Sequence, residues 1–417
     1  MTATTQRPAA ARSGNVLGQW NSAVATYYVV AGATTLLVAL GLVMVLSSSA
    51  IDSLAESGNP YVVFVRQAQF ALLGIVAMFV TSRLSVGMLK RFAWPALVVA
   101  VCLQMLVFTP LGRAEGGNRN WVYVAGTAFQ PSEVVKLGLA LWLGAVLARK
   151  QPLLQEWRHA VIPALPVAGI AVGVVLLGHD LGTAMIMILL VAGAMFVAGV
   201  PMRIFGVAGL LAAGGVAMLV LLGNNRVGRI MSWVSADCDL SDACYQPLHG
   251  MWALGSGGIF GMGLGASREK WNYLPAAHND FIFAIIGEEL GLVGTMLVLV
   301  LFGLLAAAFL RLVSRHPDPF VKITAAAIGS WVIGQALINI AVVIGLAPVV
   351  GIPLPLVSAG GSALIVTMAA MGVIIAFART EPGAAEALAA RPGVLRRSLA
   401  VLGSPRGASS APGRARG

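Results

Sequence analysis

Few side chains in this 417-residue sequence could do chemistry, and they gather in a handful of short segments. The densest runs from Lys270 through Trp271, Tyr273, His278 and Asp280 to Glu288 and Glu289. A carboxylate such as Asp280, beside a histidine and aromatic rings in a half-dry pocket, is a candidate general base. An N-cap for the helix that follows is the equal structural reading of the same aspartate. Glu288 lies eight residues on, roughly 12 Å away along a helix. Carboxylates that share one glycosidic bond sit about 5–9.5 Å apart, so a two-acid hydrolase built on this pair is disfavoured. A single base acting on an acceptor hydroxyl fits better, and Glu288 and Glu289 read as structural or cation-binding.

The second segment is Gln130-Pro-Ser-Glu-Val-Val-Lys136. Pro131 and Glu133 are helix-start signals. Lys136 falls one turn into an apolar run, where a charge is expensive and marks a functional site by default. Glu133 and Lys136 are three apart and can pair on one helix face. The pair is either purely structural, or Lys136 meets an anionic group such as a pyrophosphate. Asp180, in a tight Gly178-His-Asp-Leu-Gly-Thr183 turn, reads as the cap of the next helix. Cys238 and Cys244, with five residues between them, are a candidate disulfide if that segment faces an oxidising exterior. The glycine-rich stretch from Leu254 to Gly265 lacks the Gly-Lys-Ser/Thr ending of a phosphate loop and follows no strand, so no nucleotide site is expected. It reads as a flexible or re-entrant segment using backbone angles that glycine permits.

The elements that must hold these residues are membrane spans. The chain is 58% hydrophobic and 10% charged, against about 25% charged in soluble domains. Apolar runs long enough to cross a bilayer fall near 27–47, 61–81, 93–110, 132–149, 161–178, 182–199, 204–222, 281–310, 323–346 and 358–378. The expected fold is therefore an all-α polytopic membrane protein of ten transmembrane helices. Residues 27–378 form its single membrane domain, between a disordered N-terminus (1–26) and a disordered basic tail (379–417). With both termini cytoplasmic, nineteen of the 27 lysines and arginines fall on the inner side, a clear positive-inside bias. The net charge of +11 is then explained by lipid anchoring rather than by nucleic acid. Only the outer segments 111–131 and 223–280, the latter between spans seven and eight, are long, so the chemistry is expected outside the membrane.

Five segments resemble the SEDS family (shape, elongation, division and sporulation) across the spanning region. They are Arg119-Asn-Trp121, Gln130 to Lys136, Asp180-Leu-Gly-Thr183, Leu274 to Phe283 with Gly287 to Gly291, and Pro353 to Ser362. The lead-in Trp271-Asn-Tyr-Leu-Pro275 is more similar to the division branch than to the rod-elongation paralogue. The resemblance implies a peptidoglycan polymerase of the bacterial cell membrane, acting on lipid II at the division septum. It implies Asp280 as the essential carboxylate, and substrate binding by Lys136, Glu133, Trp121, His278, Arg119, Ser358, Gly360 and Gly361. A class B penicillin-binding protein and other division-complex membrane proteins are the implied partners, and a divalent cation (Mg²⁺ or Mn²⁺) the implied cofactor. The sequence departs from the family at Ala276, usually Glu, at His179, usually Pro, and at Ala128, often Arg.

Two rivals remain at this stage. A lipid II flippase would carry polar groups near the midplane, reachable from both sides, whereas these spans are almost free of charge away from the outer side. A non-catalytic scaffold would not need a lysine such as Lys136 in a span.

Overall fold

The computed structural model describes residues 22–115, 118–124, 126–221, 245–271, 273–275 and 277–389. Cys238 and Cys244 lie outside them. Among the described residues nine segments are helical, long and apolar enough to cross a membrane. They are α1 (Ala25–Ser57), α2 (Val62–Arg83), α3 (Val86–Met105), α4 (Pro131–Lys150), the pair α5 (Trp157–Val161) and α6 (Ala164–Leu177), α7 (Leu181–Ala198), α10 (Ile282–Arg315), α11 (Pro319–Val343) and α12 (Gly361–Ala378). A further apolar helix, α8 (Met202–Leu221), stands where the seventh of the ten expected spans falls. Two shorter α-helices, α9 (Tyr245–Ser256) and α13 (Ala384–Ala389), and two 3-10 turns, Leu106–Phe108 and Gln151–Leu153, complete the helical elements among the described residues.

One feature departs from the all-α expectation. Between α3 and α4, β1 (Gly112–Glu115), β2 (Asn118–Val124) and β3 (Thr127–Phe129) form a three-stranded antiparallel sheet in the order β1-β2-β3. The cause is local: Trp121, Val122, Tyr123 and Val124 favour strands, and Gly126, at φ 79, supplies the turn into β3. The sheet sets Trp121 opposite Arg113.

Helix α4 is the axis of the bundle, buried along nearly its whole length. It packs on α3 and α11, α11 packs on α7, α10 on α1, and α12 along α2. The last contact is close enough that a Cβ at Gly372 would fall 2.0 Å from Thr81 Oγ1. Small residues permit such approaches between helices in lipid. The outward face of α2, with Leu72, Val76, Phe79 and Val80 exposed, is apolar, as suits contact with lipid tails.

Helix α10 is broken at Gly291, whose φ of 67 and ψ of −160 are non-helical. The amides of Leu292 and Val293, which would bond to the carbonyls of residues 288 and 289 in a continuous helix, donate instead to the carbonyls of Gly258 (3.0 Å) and Ile259 (3.2 Å). The orphaned Glu288 and Glu289 carbonyls accept from Met262 (2.9 Å) and Gly263 (3.1 Å). The glycine-rich segment thus inserts its backbone into the break. A Cβ at Gly257 would fall 1.9 Å from the Gly287 carbonyl oxygen, so only glycine allows this approach. The first part of α10, from Ile282 to Glu289, is wholly buried. Phe281 occupies the N-cap position with no side-chain cap, so Asp280 is not the N-cap.

Candidate active site

A cavity of about 640 Å³ opens between β2, the starts of α2, α4 and α7, and the turn that precedes α10. Asp280, Lys136, Glu133, Trp121, His278, Gly360 and Gly361 all line it. The structure therefore gathers seven of the nine expected site residues around one space. Arg119 and Ser358 do not line it. The Arg119 guanidinium donates to the Thr109 carbonyl (3.0 Å) and its backbone amide to Gly178 (2.9 Å), which ties the sheet down. Ser358 braces the wall from behind, accepting from the Leu354 amide and donating to the Asn279 carbonyl (2.7 Å).

Asp280 is positioned through its backbone. Three successive carbonyls are held: His278 accepts from the Ala359 amide (3.0 Å), Asn279 from Ser358 Oγ, and Asp280 from Asn339 Nδ2 (2.7 Å). Asn339 Nδ2 also donates to the Ile352 carbonyl (2.8 Å), so one amide fastens the turn to α11 and to the loop before α12. A methyl group added at Gly351 would touch the Asp280 carboxylate at 3.6 Å. The Asp280 carboxyl group thus sits beside that loop, on a main chain held at three successive residues.

Lys136 and Glu133 form an ion pair of 2.8 Å in which both side chains are buried. Lys136 Nζ also donates to Gln335 Oε1 (3.1 Å) and stands 4.6 Å over the Trp331 ring. Gln335 Oε1 accepts from Trp331 Nε1 as well (3.0 Å), and its amide donates to the Pro353 carbonyl (2.9 Å). Desolvated charges are tolerated only when paired and hydrogen-bonded in this manner. Arg66, at the start of α2, is a second cation lining the same cavity.

Asp180 caps α7, accepting from the Thr183 amide (3.0 Å). Its other oxygen accepts from Asn120 Nδ2, Gln130 Nε2 and Thr183 Oγ1. With four donors on one carboxylate, Asp180 ties β2, the entrance of α4 and α7 together. The preceding His179 has φ 64, an angle a proline ring cannot adopt. This turn therefore has its own geometry where the resembled family carries proline.

His278 Nδ1 stands 3.8 Å from Asp52 Oδ2 of α1. Burial pushes the imidazole below its ordinary value, against the opposing pull of the Asp52 and Glu56 carboxylates. Glu288 and Glu289 face away from this cavity. Glu288 accepts from Ser267 Oγ and the Arg268 amide, and Glu289 from Lys270 Nζ (3.0 Å) and Ser47 Oγ (2.7 Å). Both fasten the segment that precedes the Asp280 turn to α10, and Glu289 also ties it to α1.

The sequence reading passed over Gln335 and Asn339. Two amide side chains one helical turn apart in an otherwise apolar span were the available signal, because polar groups in lipid must find partners. Asp52 and Gln67 were also missed. Gln67 holds the Ser358 carbonyl (3.1 Å), a contact across the whole chain that no local pattern announces.

The family model for cell cycle proteins of the FtsW, RodA and SpoVE type matches residues 28–382. Among curated proteins, the probable peptidoglycan glycosyltransferase FtsW of Mycobacterium tuberculosis is 40% identical over 385 residues, covering 92% of this chain and 74% of that one. Stage V sporulation protein E of Bacillus subtilis is 37% identical over 349 residues, covering 83% and 95%. Among solved structures, a chain of a peptidoglycan synthase complex that coordinates polymerization and crosslinking superposes with a TM-score of 0.68 at 28% identity, over 84% of this chain and 96% of that one. The rod shape determining protein RodA of Thermus thermophilus superposes with a TM-score of 0.63 at 30% identity, over 85% and 97%.

Proposed function

The chain belongs to the FtsW, RodA and SpoVE family of cell cycle proteins, and from that premise we propose that it is a membrane peptidoglycan glycosyltransferase that polymerises lipid II at the outer face of the cell membrane. One observation carries the reading: Asp280 and Lys136, far apart in sequence, line a single cavity. Asp280 takes the proton of the acceptor sugar's 4-hydroxyl as that oxygen attacks the donor's anomeric carbon. General-base help of this kind contributes about 10²–10⁴ in rate. The bond from the anomeric carbon to the undecaprenyl pyrophosphate breaks, and its electron pair leaves with the phosphate. Lys136 and Arg66 offset the charge that builds there. Trp121, half-buried on β2, offers a flat apolar face for a sugar ring.

Among the described residues no cluster of three or more His, Cys, Asp or Glu side chains could hold a metal ion. These residues do not build a cage for Mg²⁺ or Mn²⁺; a cation at this site would have to share the oxygens of the pyrophosphate itself.

The likeness to FtsW proteins supports a septal role over rod elongation. The likeness to a chain of a peptidoglycan synthase complex supports a crosslinking partner, which the SEDS resemblance specifies as a class B penicillin-binding protein among other division-complex membrane proteins. The test is reconstitution of the full chain in lipid with lipid II, with and without a class B partner. Glycan strands that disappear with Asp280→Asn support the reading. Translocation of lipid II without any polymer overturns it in favour of a flippase.

A further inference from the structure

A second acid stands behind the catalytic turn. Asp52 lies near the C-terminal end of α1, and its Oδ1 is buried with no hydrogen-bond partner. His278 Nδ1 is likewise buried with no partner, and it faces Asp52 Oδ2 at 3.8 Å. Buried polar groups are seldom left unpaired, and a rotamer adjustment of about 0.6 Å would bring this pair into hydrogen-bond range. The other ring nitrogen, Nε2, is not among the buried unpartnered atoms, and His278 lines the cavity that holds Asp280. A neutral imidazole donates from one nitrogen and accepts at the other, and a carboxylate beside Nδ1 selects the tautomer with its proton there.

We propose that Asp52 is a positioning residue: by accepting from His278 Nδ1–H it turns the Nε2 lone pair toward the cavity, where it accepts a hydroxyl or amide hydrogen of the saccharide held against Asp280. The saccharide rests on the polymerase reading; the Asp52–His278 pair does not. The backbone of residue 278 is already fixed by Ala359, so Asp52 governs the ring alone. The charged groups acting on the imidazole are Asp52 and Glu56 from α1; Asp280, on its own turn, and Arg66 line the same cavity. The loop from Pro353 to Ser362, which packs on the turn, contains no charged residue. Burial holds the imidazole below its ordinary value, which keeps it neutral, as the accepting role requires.

Two measurements on the full-length protein test this. In the polymerisation assay, Asp52→Ala should lower kcat by about 10²-fold, at the low end for proton-handling groups, and Asp52→Glu should recover part of it. The carboxylate raises the imidazole's affinity for protons, so its removal should move the acid limb of the pH profile to lower pH. Wild-type kcat and an unmoved limb in Asp52→Ala would overturn the proposal. The second readout needs no turnover. With ¹⁵N-histidine labelling there are five histidines to resolve, and His278→Gln assigns the relevant pair of signals. The wild type should carry the proton on Nδ1, and Asp52→Asn and Asp52→Ala should shift His278 toward a mixture of tautomers. An unchanged tautomer in properly folded variants sinks the idea. A tautomer change in a protein that makes no glycan would uphold Asp52 while overturning the polymerase reading.

Discussion

The Lys136 ammonium lies 2.8 Å from the Glu133 carboxylate, one helical turn away, and neither side chain is more than 4% exposed. Removing one member leaves the other charged and dry. Lys136→Met is therefore expected to destabilise the protein by about 3–5 kcal/mol. Lys136→Met with Glu133→Gln removes both charges and should regain much of the lost melting temperature while remaining unable to make glycan. A double variant that polymerises normally would reduce the pair to a structural one.

Asp280 is restrained by its carbonyl rather than by capping α10. Asp280→Asn, which keeps the size and shape of the side chain, should lower the free energy of unfolding by about 1 kcal/mol or less. The same variant should lose about 10²–10⁴ in polymerisation rate. Parallel thermal melts and gel-resolved glycan products check both halves.

Asn339 Nδ2 serves the carbonyls of Asp280 and Ile352 together. Asn339→Leu leaves both without this donor, at a cost of about 1–3 kcal/mol for each group stranded in the interior. Activity should fall with stability, and a rise in temperature should widen the gap from wild type. Full activity in Asn339→Leu would show that the turn is held without α11.

Lys270 and Glu289 form a buried pair of 3.0 Å that joins the segment before the Asp280 turn to α10, with Ser47 of α1 as a third member. Lys270→Met should expose the segment near Gly257–Gly265 to protease at a temperature where the wild type resists. Lys270→Arg should retain part of the protection.

The charge bias predicts the sidedness of the loops. In a background without native cysteines, a cysteine at exposed Tyr273 should react with an impermeant maleimide in intact cells, and one at Lys322 only after permeabilisation. The reverse pattern would put Asp280 in the cytosol and end the proposed reaction.

Much of this was legible in the sequence because hydropathy and short spacings are local properties. The start of α4 at Pro131, the Glu133–Lys136 pair and the Asp180 cap depend on residues within one turn of each other, and each span on one contiguous apolar run. The small sheet around Trp121 was not read, because seven residues of strand character between long apolar runs carry little periodic signal. The N-cap reading of Asp280 was open in the sequence, and the structure moves the cap one residue on, to Phe281. The resemblance implied Arg119 as a substrate-binding residue, and its guanidinium donates to the Thr109 carbonyl outside the cavity lining. Asp52 and His278 are brought together only by the packing of α10 against α1, and no single window of sequence contains both.

The backbone exchange at Gly291 divides α10 into two mechanical parts. The stub from Ile282 to Glu289 shares its hydrogen bonds with the glycine-rich segment around Gly257–Gly263, while the remainder is tied to the bilayer by its apolar length. Force applied to that segment is therefore delivered first to the stub, and through Phe281 to the carboxylate next to it, before the membrane-crossing rod feels any load.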